Sequence, residues 1–181
     1  MSEHGYLDFL GRMGHKIREV NDTYWFDAQP RVYMSVPFDK VLNIGNIDFE
    51  KVLARDGIIA RCPTDINVGK RSHRIVFDNK NFGMDSLSSK ARNQTRRGLD
   101  NCSVRSVDFA LLSDTGIGLC ADTMRRQSRK VDSNFESYWR KYFFEAGRVS
   151  GSGAWAAFVG DELAALGLSL GVDIGIPAAA F

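Results

Sequence analysis

The sequence predicts a mixed α/β fold, an α+β arrangement in which helices flank a central mixed or antiparallel sheet. Three observations carry this. Residues 154–159 (AWAAFV) and 163–172 (LAALGLSLGV) are apolar runs joined through Gly160-Asp161, and Gly in the first of two central turn positions supplies the positive φ of a type II′ hairpin turn. Phe135, Tyr138, Trp139, Tyr142, Phe143 and Ala146 recur at helical spacing and stop at Gly147. Residues 18–38 are rich in Tyr, Trp, Phe and Val and are broken at Asn21-Asp22 and Pro30, the pattern of two or three short strands.

The remaining elements follow in order. Tyr6, Phe9, Leu10, Met13 and Ile17 predict an opening amphipathic helix weakened by Gly11 and Gly14 and ending near His15. Asn46 is placed to cap a helix carrying Ile47, Val52 and Leu53, which Asp56-Gly57 ends before a strand over 58–62. Residues 64–70 read as a loop and 73–78, with Ile75 and Phe77 on one face, as a further strand. From Ser86 to Gly98 the pattern is helical, with Leu87, Ala91 and Thr95 on a packing face and Lys90, Arg92, Asn93, Arg96 and Arg97 on the rest of the wheel. A strand over 103–107 precedes Asp108, the cap of a helical region from Phe109 to Arg129 interrupted at Gly116 and Gly118. Ser133 and Glu136 form an S-x-x-E capping box for the aromatic helix. The change from strand-rich to helix-rich pattern places a boundary near Cys102, dividing the chain into residues 1–102 and 103–181.

At 181 residues, with 44% hydrophobic and 25% charged positions, the chain can bury one good core or two small ones. A net charge of +2 does not mark a dedicated nucleic-acid binder, so any basic cluster has to be judged by itself. Cys62, Cys102 and Cys120 are odd in number and form no C-x-x-C pair, which argues against a disulfide framework and a zinc site and for a reducing cytoplasm. His4, His15 and His73 sit at no ligand spacing, so no metal is expected. The N-terminus lacks a basic segment followed by an apolar core, and no run is long enough to span a bilayer, so membrane insertion is not expected.

The order strand, helix, helix, hairpin across 103–172, with the words GAWAAFVGDELAALGLSL, resembles the first half of the acyltransferase fold of the GNAT superfamily. The lead-in KARNQTRRGLDNCSV is similar to that of Fem-type proteins, the branch that includes aminoacyltransferases of peptidoglycan bridges. The resemblance covers about half of the chain, in patterns more than signatures. It implies an N-acyltransferase acting on an amine, a companion region in residues 1–102, and a donor that is either an acyl-coenzyme A or an aminoacyl-tRNA. Such enzymes hold the donor pyrophosphate on an [RQ]-x-x-G-x-[GA] loop that follows a strand and opens a helix. The literal match here, Arg148 to Gly153, follows a helix and precedes a strand, so a plain connection is the expectation there.

No residue presents itself as the catalytic base. Lys90, Arg92, Arg96 and Arg97 are the candidates for contact with a phosphate-bearing donor, an RNA backbone or an acidic partner, against the plainer reading of a solvated helix face. Arg125, Arg126, Arg129 and Lys130 form a second run that complements a helix C-terminus. Cys102 and Cys120 read as small core residues and the aromatic face of 135–143 as core. Two further readings stand beside the acyltransferase: a non-catalytic module that uses the basic helix to bind RNA or an acidic partner, and an inactive truncated fragment. The ending IGIPAAAF and an exposed apolar C-terminal strand edge fit the fragment, and that edge offers a route to oligomers.

Overall fold

The computed structural model describes residues 3–71, 73 and 79–170. By contacts the chain forms two compact units, one built on residues up to Arg71 together with Phe144–Ser152, the other on the residues from Ser72 to Phe143 together with Gly153–Leu168. By contacts Arg71 and Ser72 fall in different units, and Cys102 lies inside the second. The strand expected over 73–78 and the ending 174–181 fall outside the described residues, His73 apart, which is an exposed loop residue.

The first unit starts with α1 (Glu3–Met13). Gly14 at φ +99 ends it, so Ile17 belongs to β1 (Ile17–Val20) and not to the helix. A meander follows with β2 (Thr23–Gln29) and β3 (Val32–Val36), antiparallel at Ile17↔Phe26 and Tyr24↔Val36. Asn21 (φ 52) and Asp22 (φ 55) make the first turn, in the left-handed conformation that Asn and Asp tolerate best among non-glycines. Pro30 and Arg31 make the second, and a register shift between Asp27 and Gln29 leaves Ala28 as a bulge. The chain then passes through α2 (Phe49–Leu53) to β4 (Ile59–Arg61), parallel to β3 at Val32↔Ile59, giving the order β1-β2-β3-β4. Asp48, not Asn46, caps α2, its carboxylate accepting from the Lys51 N–H at 3.1 Å; Asn43 caps a preceding 3₁₀ turn at Ile44–Asn46.

Both faces of this sheet are covered. On one, Val20, Trp25, Tyr33 and Val52 form a buried cluster with Phe49, Leu53 and Ala60 packed against it. On the other, Phe26 and Val36 are buried, Phe38 touches the rings of Phe26 and Tyr6, and α1 contributes buried Leu7, Phe9 and Leu10. Double-sided burial explains why β2 and β3 read as nearly continuous apolar runs. Glu145, 8% exposed, accepts from Arg12 Nε at 2.6 Å and pairs with Arg148 at 3.4 Å.

The second unit holds a three-stranded antiparallel sheet in the order β5-β6-β7: β5 (Ser103–Ser106), β6 (Gly153–Val159) and β7 (Glu162–Ser169). Gly160 takes φ +59 in the β6–β7 turn, as the Gly160-Asp161 hairpin requires. Ser103 pairs with Phe158 and Ser106 with Trp155, so Ala154, Ala156 and Phe158 are buried while Trp155 and Val159 face outward. Between β5 and β6 run α4 (Phe109–Leu111), a π turn (Leu112–Gly116), α5 (Ile117–Arg126) and α6 (Phe135–Gly147). Asp108 caps α4 through the Ala110 N–H. The glycines do not break this helix; Gly116 keeps a helical φ of −75 inside a continuous rod with one widened turn. Leu112, Ile117, Phe143 and Ala154 form the core, with Trp139, Tyr142, Leu166 and Leu168 against it.

The expected capping box is not formed. Glu136 turns along the helix to Arg140 (2.9 Å), and Asp132 accepts from the Asn134 N–H (3.0 Å) in the turn just before the helix.

Candidate functional site

The basic segment forms α3 (Ser89–Asn101), capped by Ser88, whose hydroxyl accepts from the Ala91 N–H at 3.3 Å. None of its residues is buried, and only Ala91 and Arg92 are half-buried. The expected packing face is thus not used: Thr95 is exposed and spends its hydroxyl on the Ala91 carbonyl at 3.0 Å. The four cations separate into two roles. Arg92 folds back, donating from Nε to the Met84 carbonyl and from a terminal nitrogen to the Leu87 carbonyl, each at 3.1 Å, and so closes the turn before the helix. Lys90, Arg96 and Arg97 are exposed and form no ion pair among the described residues. Three unpaired cations within eight residues repel one another and are relieved by an approaching polyanion.

The second basic run is more occupied. Arg125 pairs with Asp122 at 2.8 Å and Arg126 donates to Thr123, both within the last turns of α5. The Arg148–Gly153 segment is a helix-to-strand connection that spends its own donors. The N–H groups of Arg148, Val149 and Ser152 bond to carbonyls of Glu145, Ala146 and Val149, the Ser152 hydroxyl donates to Ala146, and Val149 is buried. A strand-loop-helix order does occur in the first unit, from β3 to α2, but the Asp48 carboxylate already sits at the helix opening, accepting from the Lys51 N–H.

The first unit also assembles a charged cleft of about 500 Å³ that no motif announced, lined by His15, Lys16, Asp27, Arg31, Tyr33 and Asp56 among others. Asp56 accepts from Lys16 Nζ at 2.6 Å, from Arg18 and from the Tyr33 hydroxyl at 3.1 Å. Hydrogen bonds from Lys16 and Arg18 hold its carboxyl well below the usual carboxylate range, and the same contact raises Lys16. Tyr33 is buried, which pushes its phenol up, and Arg18 stacks 4.2 Å over its ring and partly opposes this. Asp27 Oδ1 accepts from the Lys16 N–H at 2.9 Å and lies 2.9 Å from His15 Nδ1. His15 therefore does have a carboxylate partner, brought to it by the β1–β2 hairpin.

Comparison with family models, with curated proteins and with solved structures returned no match to this chain. Among the described residues no group of three His, Cys, Asp and Glu side chains could hold a metal ion, and no helix is long and apolar enough to cross a membrane. Cys62 and Cys120 have thiols pushed up by burial, the opposite of an activated nucleophile.

Proposed function

We propose that this chain carries a GNAT-type unit of the Fem branch, serving transfer of an acyl or aminoacyl group to an amine, and that α3 meets the anionic part of the donor. The observation that supports this reading is the order within the second unit: strand, helix with a π turn, second helix, then a hairpin whose strands complete an antiparallel sheet in the order β5-β6-β7. Catalysis in such a unit rests on holding an amine against an ester or thioester and polarising the carbonyl. The exposed Lys90, Arg96 and Arg97 suit a donor rich in phosphate. A second reading, a non-catalytic module that binds RNA or an acidic partner, is favoured by the exposure of every residue of α3 except the half-buried Ala91 and Arg92.

Incubation with labelled aminoacyl-tRNA or acetyl-coenzyme A and a lysine-containing peptide separates the two. Labelled amide in the peptide is the expected product of the acyltransferase. Binding of tRNA that falls steeply with salt, without labelled amide, leaves the second reading. No binding of either donor at low salt removes the acyltransferase and the RNA-binding module.

A further inference from the structure

Arg31 is the residue that draws attention to the cleft. It sits at the second position of the two-residue β2–β3 turn at φ +63, a place where a turn ordinarily takes Gly or Asn because other side chains are strained there. The turn is clamped in this conformation, since the Arg31 carbonyl accepts from the N–H groups of both Ile58 and Ile59, at 2.8 and 3.2 Å. A strained residue with a long cationic side chain, held by the backbone of a neighbouring strand, lines the cleft and has no ion pair among the described residues.

The rest of the cleft supplies the balance of charge. Asp56 has both oxygens occupied, by Lys16, Arg18 and Tyr33, so it offers nothing to a ligand. Asp27 is engaged through Oδ1 by the Lys16 backbone and His15, and that contact at Nδ1 leaves His15 Nε2 for another partner. Lys16 and Arg31 line the cleft with Asp27 and Asp56, and Arg18, outside the lining, adds a second cation to Asp56; the Asp56 charge is thus matched twice over while Arg31 stays without an ion pair among the described residues, which favours an anion over a cation. We propose that this cleft is a binding site for a small anion bearing a phosphate or carboxylate group, anchored by Arg31, with Lys16 and His15 as the supporting donors. The site belongs to the first unit and does not depend on the reading of α3.

The test is titration of the full chain with inorganic phosphate and, separately, succinate, at constant ionic strength, followed by calorimetry and by the side-chain NMR signals of His15. At least one probe is expected to bind with a millimolar or tighter Kd and to move the His15 signals; the tighter of the two identifies the group the site takes. Arg31→Gly removes the guanidinium and relieves the backbone, so it is expected to fold with a Tm at or above the parent's, to weaken the probe at least tenfold, and to leave tRNA binding through α3 intact. Failure of both probes to bind below 20-fold that affinity range, about 20 mM, overturns the proposal whatever the acyl-transfer assay gives. An Arg31→Gly protein that binds the probe as tightly as the parent overturns it as well.

Discussion

Two glycines two residues apart in one helix are expected to respond to the same substitution with opposite sign. At Gly116, Ala gains about 1 kcal/mol of helix propensity, since the backbone is already helical. Its Cβ, however, would stand 2.8 Å from Leu166 Cδ2 and 3.5 Å from Leu112 Cβ. Comfortable carbon contacts are about 3.5–4.0 Å, so Leu166 has to move, and it is packed against the buried Leu112–Ile117–Phe143–Ala154 cluster. Overpacking of this kind costs about 1–3 kcal/mol, which outweighs the propensity gain and leaves a net loss of about 1 kcal/mol. Gly118 is exposed with nothing within 4 Å of an added Cβ, so Gly118→Ala stabilises by about 0.5–1 kcal/mol. Urea unfolding followed by circular dichroism should therefore separate the two variants by about 1 M in midpoint, taking about 2 kcal/mol per M for the denaturant slope. In a Leu166→Ala background Gly116→Ala should lose its penalty. A Gly116→Ala midpoint at or above that of Gly118→Ala refutes the packing described around the π turn.

Other consequences are direct. Asp56 has a native carboxyl below its unfolded value, so the stability it lends is present above the ordinary carboxylate range and is lost as pH falls below about 4. Asp56→Asn should accordingly show a shallower fall of Tm between about pH 5 and pH 3 than the parent, measured by differential scanning fluorimetry. Arg12→Met leaves the buried Glu145 with only the longer Arg148 contact and should cost about 2–3 kcal/mol in denaturant unfolding, most of it recovered when Glu145→Met is added. Arg96→Gln with Arg97→Gln should leave the unfolding midpoint within about 0.5 kcal/mol of the parent, since both are exposed, while weakening tRNA binding and flattening its salt dependence by about two charges in filter binding.

Local signals were the legible ones. The breaks at Asn21-Asp22 and Pro30, the Gly160-Asp161 turn and the cap at Asp108 each act over a few residues, and each stands where its chemistry put it. One cap was misplaced where a neighbour competed: Asp48 won over Asn46, a carboxylate carrying full charge to the helix N-terminus. The wheel of α3 showed an apolar side, but a wheel cannot say whether anything is packed there, and nothing buries it. The cleft was invisible for a different reason. His15, Asp27, Arg31 and Asp56 are spread over 42 residues and three connections, and only the strand register and the Ala28 bulge bring them together. The one local hint was a turn ending in Arg where Gly is expected.

The solvation of α3 has a thermodynamic consequence of its own. A helix of 13 residues with no fully buried residue is close to the length at which isolated helices are marginal in water, so its helix–coil balance is set mainly by local terms: the Ser88 cap, the Arg92 clasp and the intrinsic preferences of its residues. Its amide protons should exchange with solvent far sooner than those of α6, which is anchored by the buried Phe143 and Ala146. Any polyanion that requires the helical form then draws on that balance and winds the helix as it binds. Gly98, with open space around an added Cβ, is the dial: Gly98→Ala should raise helicity and slow exchange in α3, and should tighten tRNA binding by up to about fivefold, the equivalent of about 1 kcal/mol, without touching a single cation.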